Sequence, residues 1–146
     1  MTASITIYQN FKAAIDEVVL RTATVKLTLH TSSYTPSASA HAVYADLTNE
    51  LSTANGYTNG GASLASVTWS QTSGTAKFAA DNTVFTASGG SIVARYGALR
   101  VSGTFNSQAD PLIAYILLDT TPADVTTTTG NTLTFTWNAS GILTLA

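Results

Sequence analysis

The alternation of apolar and polar positions along the chain predicts a series of short β-strands. Residues 23–30 (ATVKLTLH) and 132–137 (TLTFTW) alternate with the two-residue period of a half-buried strand. Residues 112–118 (LIAYILL) are apolar on both faces, which indicates a fully buried central strand. The same pattern, bounded by Gly, Asn and Ser turns, predicts further strands at 1–7, 62–70, 74–80, 84–85, 91–101 and 142–145. The threonine-rich stretch 126–131 is expected to be a turn or a sheet edge.

One segment near the start of the chain changes period. Over residues 8–20 the apolar positions fall on one face of a 3.6-residue repeat, which predicts a helix that packs across a sheet. Thr6 and Gln9 have the spacing of a capping box at its beginning.

These elements define the expected architecture. The 146 residues suit a single domain, 1–146. Many short strands and one early helix indicate a mainly β fold, an antiparallel β-sandwich with the N-terminal helix packed on it. A jelly-roll-like arrangement is the preferred version, and a closed barrel is the alternative.

A long segment interrupts the strand pattern. Residues 31–61 are rich in Ser, Thr, Ala, Asn and Gly and carry Tyr34, Tyr44 and Tyr57 at intervals. A loop of this length in a compact domain is usually functional or disordered, and disordered tracts are poor in aromatic residues. The sequence therefore predicts an ordered loop held against the β framework.

Composition narrows the classes of function. Charged residues make up 10% of the chain, and the six basic ones are scattered, so there is no basic patch for nucleic acid. No cysteine is present, which fits folding in a reducing cytoplasm. No apolar run is long enough to cross a membrane, and no signal peptide is recognisable. The neutral, hydroxyl-rich surface suits burial within a large assembly.

The candidate chemistry is sparse, and we expect no catalytic residues, no metal and no cofactor. His30 and His41, with Asp46 and Glu50 nearby, match no known spacing of metal ligands, and loop hydrogen bonding is the favoured role for both histidines. In the same loop, Asp46 is expected to cap a turn and Glu50 to be solvated. Trp69 and Trp137 could stack on sugars with the loop tyrosines, although core packing is the favoured role of both indoles.

A resemblance adds to this picture. The chain carries KLTLHTSSYTP at 26–36, HAVYADLTNE at 41–50 and GYTNGG at 56–61, together with FKAAID at 11–16 and TFTWNASGILTL at 134–145. In order and spacing these motifs resemble a family of small virion structural proteins of tailed bacteriophages. The resemblance covers nearly the whole chain and includes no catalytic signature.

The resemblance implies a non-enzymatic structural protein located in the virion, on the capsid surface. We expect a capsid decoration, or cement, protein that binds the major capsid protein and copies of itself, as a dimer or trimer. The alternative is a tail- or fibre-associated adaptor domain that could bind carbohydrate. The expected interaction residues lie in the long loop: Tyr34, Pro36, His41, Tyr44, Asn49 and Tyr57.

Overall fold

The computed structural model describes residues 3–9, 22–105, 107–121 and 123–145. Over these residues the chain is mainly β and its strand pairs are antiparallel, as the sequence predicts. The helix expected over residues 8–20 lies, apart from Tyr8 and Gln9, outside the described residues. The jelly-roll connectivity is not established by the strand order.

Fourteen short strands and one turn of 3-10 helix are described. The strands are β1 Ser4–Ile7, β2 Thr24–His30, β3 Ala62–Ser63, β4 Thr68–Thr72, β5 Thr75–Ala79, β6 Thr83–Thr86, β7 Ile92–Ala94, β8 Tyr96–Ser102, β9 Thr104–Phe105, β10 Gln108–Ala109, β11 Leu112–Leu117, β12 Val125–Thr127, β13 Thr132–Phe135 and β14 Leu143–Leu145. The 3-10 turn spans Tyr44–Asp46, inside the long loop.

The largest sheet has five strands in the order β1-β11-β8-β2-β3. The β11 strand lies between β1 and β8, so the central position predicted from its apolar sequence is confirmed. Seven residue pairs join β2 to β8, from Thr24 opposite Ser102 to His30 opposite Tyr96. This sheet is the framework on which the other layers lie.

A long antiparallel ribbon forms the second layer, with β4 added as a third strand beside β5. Residues 75–102 run antiparallel to residues 112–145 in an almost constant register, as the pairs Lys77–Thr144, Val84–Thr134 and Ala98–Tyr115 show. The β8 and β11 part of this ribbon belongs to the five-stranded sheet, and the rest folds over it. A Cβ added to Gly97 of β8 would lie 3.4 Å from the ring of Phe135, so the folded part packs directly on the sheet.

The two faces of the five-stranded sheet are covered by different parts of the chain. Directly opposite residues of antiparallel strands share a face. The face that the ribbon covers is apolar and includes Val25, Leu27, Leu29, Leu99 and Ala114. The opposite face carries the polar partners and is covered by residues 31–61, which we call the loop layer. Its residues include Thr28, His30, Tyr96, Arg100 and Tyr115.

Three strand predictions need correction. Strand β2 is not half-buried, because the loop layer covers its polar side and leaves Thr28 and His30 fully buried. The expected strands 62–70 and 91–101 are each interrupted, the first by Ser66 at a positive φ and the second where the ribbon bends at Arg95. For residues 126–131 the edge alternative holds in part, since Thr126 and Thr127 belong to β12, which forms a two-stranded sheet with β7.

The tip of the loop layer rests on the ribbon. Asn55 and Gly56 form a two-residue turn with positive φ at both positions, which explains the Asn-Gly sequence. A Cβ on Gly56 would lie 1.9 Å from the carbonyl oxygen of Thr86, so backbone meets backbone at this point. Gly89 has a similar positive φ, but nothing lies within 4 Å of the corresponding position.

These two glycines give a matched test of the packing. Gly89→Ala should cost about 1 kcal/mol of stability through its left-handed backbone alone. Gly56→Ala should cost about 1–3 kcal/mol more, because the loop tip must move off β6. Urea denaturation of both variants measures the difference, and equal losses would contradict the docked position of the tip.

Candidate functional site: a loop layer held by buried polar side chains

The loop layer is joined to β2 by backbone hydrogen bonds. Thr31 N donates to Asn49 O at 3.0 Å, and Leu51 N donates to Leu29 O at 2.9 Å. His30 and Glu50 form an antiparallel bridge between these bonds. The chain therefore leaves the sheet at residue 31 and returns to its edge at residue 50, which confines residues 32–49 to the space above one face.

The Glu50 carboxylate is the point at which three hydrogen-bond donors of the loop layer meet. Its Oε1 accepts hydrogen bonds from Tyr57 Oη at 2.5 Å and from Gly60 N at 2.7 Å. Its Oε2 accepts a hydrogen bond from the Tyr44 hydroxyl. The expectation that Glu50 is solvated is therefore wrong, because this half-buried carboxylate accepts three donors from three parts of the loop.

Tyr57 uses both capacities of its hydroxyl group. The oxygen donates to Glu50 and accepts from Leu29 N of β2 at 3.1 Å, while the ring packs against Phe85 of the ribbon. One side chain thus joins the loop layer, the sheet and the ribbon. Burial and the hydrogen bond to Glu50 raise the pKa of Tyr57, because both favour the neutral phenol.

Arg100 lies buried under the loop layer. Its guanidinium carbon is 4.1 Å from the centre of the Tyr44 ring, and its Nη2 donates to Gly60 O at 3.2 Å. Nη1 is 3.1 Å from Asp110 Oδ1, an ion-pair distance that lacks hydrogen-bond geometry. Tyr44 is consequently held by two contacts: the Arg100 cation lies over its ring, and the Glu50 carboxylate accepts from its hydroxyl group.

His30 has a hydrogen-bond partner at each ring nitrogen. Nδ1 is 2.9 Å from Thr48 O, and Nε2 is 2.9 Å from Thr28 Oγ1. A carbonyl oxygen only accepts, so Nδ1 carries the proton and neutral Nε2 accepts from Thr28. That hydroxyl also lies 3.3 Å from Ala98 O, a second acceptor for its single proton. Burial lowers the pKa of His30, so the imidazole is neutral at pH 7.

A second chain of hydrogen bonds lies beside His30. Tyr8 Oη is 3.0 Å from Tyr34 Oη, which is in turn 3.0 Å from His41 Nδ1. The Tyr34 ring also packs at 4.9 Å from the His30 ring and edge-on against Tyr96. Tyr34 therefore holds the outgoing half of the loop layer, residues 31–41, against the sheet. Tyr57 does the same for the returning half, residues 47–61.

Asp46 organises the turn between the two halves. Its Oδ2 accepts hydrogen bonds from Ala42 N at 2.7 Å and Val43 N at 3.0 Å. These two backbone donors lower the pKa of Asp46 because they favour the carboxylate. The sequence prediction that Asp46 caps a turn is confirmed.

The predicted interaction residues have different environments. Tyr34 and Tyr57 are 1% and 2% exposed, so their side chains face the sheet and not a partner. Pro36, His41 and Tyr44 are half-buried, and Asn49 is exposed with a positive φ and donates through Nδ2 to Ser33 O. Contact with a partner stays a prediction for the accessible members of this set. The spacing of the loop tyrosines in the sequence thus marks contacts between the loop layer and the sheet of the same domain.

A separate apolar groove lies between β1 and the ribbon. Its volume is about 340 Å³, and Ile5, Ile116, Leu133, Phe135 and Trp137 are among its lining residues. Trp69 and Trp137 are half-buried and pack against the core, as the sequence favoured. The buried positions of Tyr34 and Tyr57 leave no shared stacking surface between these tyrosines and the tryptophans.

Among the described residues there is no group of three or more His, Cys, Asp and Glu side chains that could hold a metal ion. No helix in the described part of the chain is long and apolar enough to span a membrane. Comparisons with protein-family models, curated proteins and solved structures find no match to this chain.

The Glu50 carboxylate can be tested by removing its charge. Glu50→Gln should lower the free energy of unfolding by about 2 kcal/mol, because an amide cannot accept from all three donors and hydrogen bonds to charged groups are the stronger ones. Asp124→Asn at an exposed carboxylate is the matched control and should change stability by less than about 0.5 kcal/mol. Equal effects in chemical denaturation would contradict the role of Glu50.

The buried phenols predict an abnormal alkaline titration. Burial raises the pKa of Tyr8, Tyr34 and Tyr57, and raises the pKa of Tyr44 to about 12. Each of these groups ionises more easily in the unfolded chain, so stability is full below about pH 10 and is lost as the pH rises above it.

Tyrosinate absorbance at about pH 11 should be lower in the folded protein than in the denatured one, by on the order of four phenols. In Tyr57→Phe this deficit should fall by one phenol. Coincident titration curves with the fold still intact would contradict the burial of these hydroxyl groups.

Proposed function

We propose that this chain is a non-enzymatic virion structural protein of a tailed bacteriophage, and that it decorates the capsid surface. The proposal rests on the resemblance in the loop motifs and on one observation about their geometry. Both carboxylates of the loop layer, Asp46 and Glu50, are engaged by hydrogen bonds within the loop. The outer surface is left to small and hydroxyl-bearing side chains.

This surface has the properties of a lattice-binding face. Ser32, Ser33, Thr35, Ser39 and Ala40 are exposed on the outgoing half of the loop. Burying neutral hydroxyl groups against a partner costs less than burying charges. A surface held rigid from below also loses little conformational entropy on binding. A modest contact then suffices, since a symmetric capsid repeats it at many equivalent positions.

Two finer features belong to the same proposal. The partner is the major capsid protein, with copies of this chain adjoining as a dimer or trimer. The fold is a jelly-roll-like sandwich, which the ribbon supports because a jelly roll is a long antiparallel ribbon folded over itself. The protein folds in the host cytoplasm before it reaches the capsid.

A tail- or fibre-associated adaptor domain is the second candidate. The groove beside Trp137 favours it, because an apolar groove with an indole and neighbouring Thr134 and Asn138 has the composition of a sugar-binding site. Copy number separates the two candidates. Quantitative mass spectrometry of purified particles should give one copy per major capsid subunit, or a simple fraction, for decoration. A ratio of a few per cent would move the protein to the tail.

The loop layer can be tested as the contact surface with a matched pair of charge substitutions. Ser39→Glu places a charge on the exposed loop and should reduce incorporation into particles at least about tenfold, because the carboxylate would be desolvated against the capsid. Thr132→Glu places the same charge on the exposed side of β13 and should leave incorporation unchanged. Both variants should unfold at the wild-type denaturant concentration. Normal incorporation of Ser39→Glu would contradict binding through this surface.

A further inference from the structure

His30, the last residue of β2, and His41 of the loop layer each have a ring nitrogen within hydrogen-bond distance of a hydroxyl group. His30 Nε2 accepts a hydrogen bond from the Thr28 hydroxyl, as its neutral tautomer requires. His41 Nδ1 is the terminal partner of the chain that runs from Tyr8 through Tyr34. The Tyr34 phenol lies against both imidazoles, at ring distances of 4.9 and 5.7 Å. The buried His30 ring thus supplies an acceptor nitrogen beneath residues 31–49.

We propose that His30 forms an acid-sensitive device that holds residues 31–49 on the sheet at neutral pH and releases them when its buried imidazole is protonated. Protonation turns the acceptor Nε2 into a donor. The Thr28 hydroxyl and Nε2 would then both present protons to each other unless Thr28 rotates its proton to Ala98 O. That rotation satisfies the hydroxyl but leaves a buried imidazolium charge, which costs more than the neutral ring.

The surrounding charges do not remove this cost. Glu50, the bridge partner of His30, attracts an imidazolium at that position, but its carboxylate already accepts from Tyr44, Tyr57 and Gly60. Asp46, the other carboxylate of the loop layer, is likewise occupied by two backbone donors.

The remaining titratable neighbours offer little compensation. The side chains of Tyr8, which follows β1, Tyr34 of the loop, Tyr96 of β8 and Tyr115 of β11 surround this region and supply no carboxylate that could offset an imidazolium charge. The backbone N of Arg95 donates to His30 O, but the Arg95 side chain donates to Thr121 O and Ala123 O, away from the imidazole. Arg100 and Lys26 lie on the same face and oppose further positive charge.

The release is expected to be local. The returning half of the loop depends on Glu50, Tyr57 and backbone bonds, and it contains no histidine. The ribbon-covered face is lined by apolar residues such as Leu27, Leu99 and Ala114, which do not ionise. Acid should therefore expose the loop-covered face of the sheet before the ribbon-covered face.

A cysteine on each face distinguishes local release from global unfolding. The chain has no cysteine of its own, so each introduced thiol is a unique reporter. Ala98→Cys lies on the loop-covered face beside Thr28, and Ala114→Cys lies on the ribbon-covered face; both alanines are fully buried. A thiol reagent that reacts in acid, corrected for a cysteine peptide at the same pH, gives the exposure of each site.

Between about pH 7 and pH 5, labelling at Ala98→Cys should accelerate by up to about tenfold per pH unit for the one linked proton, while Ala114→Cys stays protected. In a His30→Gln background the acceleration should disappear, because an amide keeps a donor and an acceptor and does not titrate. Unchanged protection of both thiols would overturn the proposal. Equal acceleration at both sites would overturn it as well, since that is global unfolding.

Hydrogen exchange of the unaltered chain covers the case in which a cysteine variant fails to fold. Peptides within 31–49 should exchange faster at about pH 5 than expected from intrinsic chemistry, while β8 and β11 peptides keep their protection. Uniform protection of residues 31–49 at both pH values would contradict the acid-sensitive device. This test does not depend on the proposed function, because it uses the isolated protein.

Discussion

The Glu50 carboxylate is the interaction on which the ordered loop depends. Residues 31–61 carry few large apolar side chains, so hydrophobic burial contributes little to ordering so long a segment. Ordering comes instead from directed hydrogen bonds to ionised or buried groups, which are stronger than neutral exposed ones. Tyr44, Tyr57 and Gly60 meet at one carboxylate, and Arg100 completes the arrangement by covering Tyr44 and binding Gly60 O.

The five-stranded sheet makes this arrangement possible because it is covered on both faces by different chemistry. One face is packed against the aromatic and aliphatic side chains of the ribbon. The other face carries His30, Tyr96 and Arg100, which lie beneath the tyrosines of the loop layer. A polar face of this kind is stable only when its donors and acceptors are paired. The loop layer supplies those partners, so the loop and the polar face of the sheet stabilise each other.

Much of the β framework is predictable from the sequence, because a two-residue period reports which side of a strand is apolar. Residues 112–118 and 132–137 show this directly, since β11 is central and Leu133 and Phe135 are buried. The period does not report what covers a polar side. Thr28 and His30 therefore fall on the polar side of a strand predicted to be half-buried, although the loop layer buries both. Tyrosine spacing identified the loop as ordered, but it could not show that Tyr34 and Tyr57 point inward or that Glu50 joins them.

The central claim is that residues 31–61 form a fixed layer and not a mobile loop. Residue-resolved amide hydrogen exchange at neutral pH tests it most directly. The account predicts that Thr31, Leu51, Tyr57 and Gly60 amides, each hydrogen-bonded within the layer or to β2, are protected at least about a hundredfold, toward the level of β2 itself. Exchange of these amides at the rate of an unstructured peptide, while β2 and β8 remain protected, would contradict it.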